Sequence, residues 1–196
     1  DFVRTEKITD LKPTSLPKDY KRLNDPKSFM ALEYVNYIFN RGITFNIMQR
    51  YHFGYSPSMT YQLIMPVQNE IGENVYYTTR TIKDGFTKEK AYNPPARPGF
   101  YSKSDVIFGL HTCRGTTVYL FEGVFSALSA QSLNFAAVAL LGKTLSTCQL
   151  ELLLNSGFKN VIICLDSDAL TYAYDMATKI RPLFESVQLI EFPKDK

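Results

Sequence analysis

The chain has 196 residues, of which 45% are hydrophobic, and a net charge of +3, so it is long enough to bury a sizeable core. No apolar run approaches the roughly 20 residues of a membrane-spanning helix, and no secretory signal segment opens the chain. Its three widely spaced cysteines suit neither a disulfide framework nor a zinc site, which favours a reducing, cytoplasmic compartment. Because the chain starts without Met, we expect it to be part of a longer protein.

The charge is spread unevenly along the chain. Residues 1–117 contain 16 Lys and Arg against 11 Asp and Glu, whereas residues 118–196 contain 6 against 8. A basic first part beside an acidic second part suits a polyanion held over a metal-binding site. Unequal solvated surfaces would give the same asymmetry, so charge alone does not decide between these interpretations.

The first part of the chain predicts short helices after a polar start. Residues 1–27 are polar and proline-containing without a clear period, and we interpret them as a segment that wraps or links. Residues 28–39 carry apolar side chains at helical spacing, and Gly42 follows as a helix breaker. Thr44 is the predicted N-cap of a short helix that runs to Arg50.

A hairpin is predicted next. Residues 61–67 and 74–82 have the composition of strands and are joined around Gly72. Residues 83–104 are rich in Gly, Pro, Lys and Arg, and we predict that they are mostly loop. We therefore expect residues 28–115 to form a basic, mixed α+β lobe.

The pattern changes from residue 118 onward, where predicted strands alternate with predicted helices. The strands cover residues 118–122, 136–140, 161–166 and 187–192, and the helices cover 124–132, 145–157 and the residues leading to Pro182. Such alternation is typical of a parallel sheet covered by helices on both faces. The predicted fold class is thus α/β, with a parallel sheet over residues 116–196.

Three carboxylates stand at the ends of two of these strands. Glu122 closes one strand, Asp166 closes another, and Asp168 lies just beyond it. Since the carboxyl ends of parallel strands share one edge, the three groups can meet there and would repel one another without a cation. Oxygen ligands of this kind suit Mg²⁺ and phosphoryl transfer. An Asp-x-Asp after a strand also serves as an ordinary helix cap, and that alternative stays open here.

The second part resembles a TOPRIM domain, the fold shared by DNA primases, topoisomerases and some nucleases. The similarity lies in "YLFEGVFSALS", "ALLGKTLS" and "VIICLDSDA". The resemblance implies that Glu122, Asp166 and Asp168 are the catalytic and metal-binding residues, with Mg²⁺ or Mn²⁺ as cofactor. This sequence differs from the usual TOPRIM pattern at two positions, because Ser126 replaces an acidic residue and Ser167 replaces a glycine. A further acidic pair of the family would fall beyond Lys196.

The first part resembles DnaG-type primases of bacteria and phages, chiefly through "KAYNPPARPGFYSKSDVIFGL" at residues 90–110. That resemblance implies the RNA polymerase core of a primase, a nucleotidyltransferase that makes short RNA primers on single-stranded DNA. The residues implied to contact the triphosphate or the template are Arg80, Lys90, Asn93 and Lys103. Arg41 and Lys143 are further candidate phosphate contacts.

The same resemblance implies ribonucleoside triphosphates and a replicative helicase as partners, no membrane, and the cytoplasm of a bacterial cell or a phage-infected host. Two alternatives remain open. One is a TOPRIM nuclease or topoisomerase-type enzyme, whose products would be cleaved DNA. The other is a non-catalytic, primase-like binding module of the replisome, which the serine at position 126 would suit.

Overall fold

The computed structural model describes residues 11–24, 29–87 and 90–193. Its first part is a five-stranded antiparallel sheet in which neighbouring strands in sequence are neighbours in space. The strands are β1 (Lys21–Arg22), β2 (Gly54–Tyr55), β3 (Gln62–Gln68), β4 (Asn74–Thr81) and β5 (Ala91–Tyr92). The predicted hairpin is present as β3 and β4, whereas the two-residue β5 lies in the segment predicted as loop and is too short to leave a pattern.

Two helices precede this hairpin, α1 (Phe29–Asn40) and α2 (Phe45–Arg50). The predicted break at Gly42 is present, with a left-handed φ of 73°. Thr44 caps α2 as predicted, because its side-chain oxygen accepts a hydrogen bond from the Ile47 amide at 3.4 Å. Within the polar start of the chain, β1 joins the sheet and Leu23 is fully buried. Residues 1–10 and 25–28 lie outside the described residues.

The second part is a four-stranded sheet in which every pair of strands is parallel, so the predicted α/β fold class is confirmed. The strand order is β7-β6-β8-β9. The elements are β6 (Thr117–Phe121), α3 (Val124–Ser132), β7 (Ala137–Ala139), α4 (Thr147–Asn155), β8 (Asn160–Cys164), α5 (Leu170–Ile180) and β9 (Ser186–Leu189). Among the described residues, no helix combines the length and the apolar character needed to cross a membrane.

The two sheets share buried surface. One hydrophobic cluster combines side chains of the antiparallel part, such as Met65 and Phe108, with Val124 and Leu128 of α3. Phe108 also extends the parallel sheet, because its backbone exchanges hydrogen bonds of 3.0 and 3.1 Å with Ala139 of β7. The relative position of the two sheets is therefore fixed by packing and by backbone pairing.

A buried glutamine fixes the segment that joins the sheets. Gln149 of α4 is 1% exposed, and its side-chain amide donates to the carbonyl oxygens of Lys103, Val106 and Leu140 at 3.1, 2.9 and 3.0 Å. These bonds satisfy carbonyls that burial would otherwise leave unpaired. They also hold the backbone of Lys103, a predicted binding residue, against the end of β7.

A second tie lies on the other side of the joining segment. The hydroxyl of Tyr51 donates to Gln131 Oε1 at 2.7 Å and lies 2.7 Å from Thr112 Oγ1. Beside it, Gly109 has a φ of 84°, and a Cβ there would come within 2.8 Å of the Gln131 amide nitrogen. Both the backbone conformation and the space explain why glycine occupies this position.

Candidate metal centre

Three carboxylates meet at one edge of the parallel sheet. Strands β6 and β8 are adjacent and pair Phe121 with Cys164, so the residues that follow them emerge side by side. One carboxylate oxygen from each of Glu122, Asp166 and Asp168 lies within 4.8 Å of the other two. We refer to these three residues as the acidic cluster. Each of the three residues lies beyond the end of its strand, where the backbone is no longer paired with a neighbouring strand.

The environment of the acidic cluster disfavours the charged form of Glu122. Burial, and next the nearby Asp166, raise the pKa of Glu122 above its ordinary value. Its Oε2 atom is buried and makes no hydrogen bond within the described part of the chain. A buried carboxylate oxygen without a hydrogen-bond partner is stabilised when it binds a cation. Three carboxylates at this spacing provide the hard oxygen ligands that a divalent cation prefers. The residues present therefore fit a divalent metal ion.

One lysine partly balances the acidic cluster. The ammonium of Lys143, in the turn after β7, lies 2.6 Å from Asp168 Oδ2. This hydrogen bond lowers the pKa of Asp168 and raises that of Lys143. The sequence had indicated Lys143 as a candidate phosphate contact because it is the basic residue in the small-residue turn "ALLGKTLS".

The acidic cluster opens into a cleft of about 370 Å³ between the two sheets. The parallel part contributes Glu122 and Asp166, and the antiparallel part contributes Arg80 of β4 and Asn93, which follows β5. Arg80 Nε and Asn93 Oδ1 are buried and lack hydrogen-bond partners within the described ranges. The cleft thus has carboxylates on one side and a guanidinium and an amide on the other, and its volume suits a nucleotide-sized ligand.

Arg41 is a further cation of the cleft wall. Its guanidinium lies 5.0 Å from the ring centre of Tyr37 and 5.2 Å from that of Phe125, so aromatic contacts hold it in place. Ser126, the residue at the position where the resemblance led us to expect an acid, also lines this cleft. The sequence alone gave Arg41 weaker support than Arg80, because its positioning depends on aromatic side chains from two different helices.

The two predicted lysines lie in different environments. Lys103 is near the acidic cluster, since its ammonium would lie 3.8 Å from a side-chain Cβ at position 142 and its charge offsets part of the rise in the pKa of Glu122. Lys90 is exposed, and its side chain is not among the residues that line the cleft. Its carbonyl oxygen accepts a hydrogen bond from the amide of Thr81 at 2.9 Å, so it flanks Arg80 through the backbone.

Comparison with known proteins agrees with this architecture. A family model described as Toprim-like matches residues 119–195. The DNA primase of Mycoplasma genitalium is 29% identical over 113 residues, which cover 55% of this chain and 18% of that protein. The DNA primase of Legionella pneumophila is 25% identical over 174 residues, which cover 69% of this chain and 30% of that protein. The chain thus spans less than a third of either primase.

Three further similarities extend over more of the chain. An uncharacterized protein of Mycoplasma genitalium is 27% identical over 173 residues, which cover 85% of this chain and 74% of that protein. Among solved structures, a DnaG catalytic core superposes with a TM-score of 0.75 at 16% identity, covering 89% of this chain and 69% of that one. A DnaG primase catalytic domain bound to single-stranded DNA gives a TM-score of 0.73 at 17% identity, with 87% and 67% covered. The chain is therefore similar in sequence to DNA primases, has the fold of a DnaG catalytic core, and matches a Toprim-like domain over residues 119–195.

Proposed function

We propose that this chain is the RNA polymerase core of a primase, a nucleotidyltransferase that joins ribonucleotides into short primers on single-stranded DNA. The observation that carries the proposal is the acidic cluster facing Arg80 and Asn93 across one cleft. Template-directed transfer needs this pairing, because anionic phosphates must be held by cations on one side and by a metal site on the other.

Glu122, Asp166 and Asp168 would hold the divalent ion, with Mg²⁺ as the first candidate and Mn²⁺ as the alternative. When bound, such an ion neutralises charge on the triphosphate and polarises the oxygens at the reacting phosphorus. Glu122, which lines the cleft and is the most buried of the three, would serve either as a ligand of the ion or as the acceptor of the proton from the attacking 3′-hydroxyl. The less buried aspartates would orient the site as ligands.

The cations of the cleft would bind the polyanionic partners. Arg80 lines the cleft, and its buried Nε has no hydrogen-bond partner among the described residues, so it suits the triphosphate. Asn93, which also lines the cleft, suits a sugar or phosphate oxygen. Lys103 would complete the triphosphate site from the joining segment. Lys90, exposed beside Arg80, would contact the template backbone, where a point charge suffices.

The wider setting follows from the same proposal. We infer single-stranded DNA and ribonucleoside triphosphates as ligands, and a replicative helicase as a partner, in the cytoplasm of a bacterial cell or a phage-infected host. One of the similar structures is a DnaG catalytic domain bound to single-stranded DNA, which supports the first ligand. We also propose residues 28–115 and 116–196 as the two lobes that enclose the cleft.

The decisive experiment is primer synthesis on a single-stranded template with ribonucleotides and Mg²⁺. Asp166→Asn should abolish synthesis while leaving the fold intact, and Asp175→Asn, an exposed acid of α5, is the matched control. Synthesis retained by Asp166→Asn would refute the metal site. Cleaved DNA as the product would favour the nuclease alternative, and DNA binding without any chemistry would favour a binding module.

A further inference from the structure

Lys143 has no role in the proposed function so far, although it makes the one ion pair seen between the acidic cluster and a cation in the described ranges. Its side chain is 33% exposed and that of Asp168 is 72% exposed, so water reaches both groups. Gly142, the residue before it, lines the cleft. The ammonium therefore lies at the border between the metal site and the space where a nucleotide would bind.

Lys143 and a metal ion compete for the same carboxylate. The lysine ammonium lies 2.6 Å from Asp168 Oδ2, and the oxygens available to a shared ion lie within 4.8 Å of one another. An ion bound by all three carboxylates would stand a few ångströms from the ammonium and repel it. A lysine side chain is long and flexible enough to swing away, provided that a new anionic partner is within reach.

We propose that Lys143 is a positioning residue that occupies Asp168 until metal and triphosphate arrive together, and then transfers its ammonium to a phosphate oxygen. The transfer breaks one ion pair and forms another, with no covalent change. Metal alone must displace the lysine at a cost, whereas metal with triphosphate supplies the lysine with a replacement partner. The two ligands therefore bind cooperatively. The second half of this proposal depends on the proposed function, and the first half does not.

The test measures Mn²⁺ binding by electron paramagnetic resonance, with and without a non-hydrolysable ribonucleoside triphosphate. Lys143→Gln should bind Mn²⁺ alone more tightly, on the order of 3- to 10-fold, because Asp168 is freed and one repelling charge is lost. In the same variant, triphosphate should enhance Mn²⁺ binding less than it does in the wild type. Lys143→Arg keeps the charge and should behave almost as the wild type does.

The matched control is Lys159→Gln. Lys159 forms a similarly exposed ion pair with Glu185 at 2.9 Å, away from the acidic cluster, so its loss should leave Mn²⁺ binding unchanged. Equal Mn²⁺ affinity in Lys143→Gln and the wild type would overturn the proposal, and so would an undiminished effect of triphosphate. Asp166→Asn distinguishes a failure of the metal site from a failure of the role proposed for Lys143. If it leaves Mn²⁺ binding intact, the metal site itself is refuted, whereas if it abolishes binding while Lys143→Gln changes nothing, only the role of Lys143 fails.

Discussion

The parallel and the antiparallel sheet deliver side chains to the cleft in different ways. In the parallel sheet, Glu122 and Asp166 reach it because they follow strands whose carboxyl ends share an edge. In the antiparallel sheet, Arg80 reaches it from within β4, because its position opposite Ala91 turns it to the cleft face. A sequence shows which residue follows a predicted strand. The face of the sheet on which a residue within a strand lies depends on the pairing register, which the sequence does not show.

The two sides also differ in charge. The parallel side holds three carboxylates, one of which pairs with Lys143, and the antiparallel side holds Arg80 and Arg41. On each side alone, charges of the same sign lie close together and repel one another. A bound divalent cation would reduce the repulsion on the parallel side, and a bound polyanion would reduce it on the antiparallel side. The comparison thus predicts that damage to the parallel side removes the chemistry, while damage to the antiparallel side weakens binding.

The largest effect is expected from Glu122→Gln on the parallel side. Loss of this carboxylate, whether it acts as a ligand or as the proton acceptor, should lower the rate of primer synthesis by about 100-fold or more, the range typical of a lost electrostatic contact in a transition state. Mn²⁺ binding should weaken in parallel, while the folded structure persists. Glu151→Gln, an exposed acid of α4, is the control. Normal primer synthesis by Glu122→Gln would contradict the assignment of the chemistry to the parallel side.

The next effect concerns the tie between the sheets. Gln149→Leu should lower the free energy of unfolding by about 2 to 3 kcal/mol, because buried carbonyls, including those of Lys103 and Leu140, would lose their donor. Denaturant unfolding measures this change. Gln188→Leu on an exposed position of β9 should stay within about 0.5 kcal/mol of the wild type. A similarly small change in Gln149→Leu would show that packing alone holds the sheets together.

This tie shows what the sequence could not predict. Periodicity indicated α4, but a glutamine in a leucine-rich helix gives no hint that its amide serves three carbonyls, two of them more than 40 residues away in sequence. The alternation of strands and helices, by contrast, was enough to predict the parallel sheet and its edge. Local patterns decide elements and strand ends, whereas contacts between distant segments depend on the assembled packing.

The antiparallel side shows the same limit. Sequence similarity pointed equally to Arg80, Asn93 and the two lysines, yet only the first two line the cleft among the described residues. Lys103 lies near the acidic cluster because Gln149 and the joining segment hold its backbone. Lys90 precedes β5 and is exposed. Motif spacing can identify these residues, but it does not give their distances from the metal site.

Arg80 and Lys90 offer a moderate effect that sharpens the comparison. Arg80→Ala should weaken triphosphate binding by about tenfold, since it removes a charged partner inside the cleft. Lys90→Ala should leave triphosphate affinity unchanged, weaken single-stranded DNA binding a few-fold, and reduce the salt dependence of that binding by about one phosphate contact, a slope change near 0.7. Fluorescence anisotropy over a salt series measures both. Unchanged DNA affinity and slope in Lys90→Ala would leave it an ordinary surface lysine.

The smallest effect is the pH dependence of stability without metal. The folded-state pKa of Glu122 is raised above its ordinary 4.5 by burial and by Asp166, so the folded chain holds this proton more tightly than the unfolded chain does. Stability from this group is therefore fully present below pH 4.5 and is lost as the pH rises through the folded-state pKa. Asp168 has the opposite sign, because its lowered pKa affects stability only as the pH falls below 3.8.

The two windows do not overlap, so Glu122 can be isolated by comparing melting temperatures of the wild type and Glu122→Gln in chelator. At about pH 7 the variant should melt at a higher temperature than the wild type, and the difference in melting temperature should narrow toward pH 4.5, where the carboxyl group of the wild type becomes protonated. Added Mg²⁺ should reverse the order at about pH 7, because binding to the folded state stabilises only the chain that keeps its ligands. A difference in melting temperature that does not change with pH, or an equal response of both proteins to Mg²⁺, would mean that the charge of Glu122 does not lower stability. A carboxylate whose charge is destabilised by burial and by Asp166 must respond both to a proton and to a metal ion.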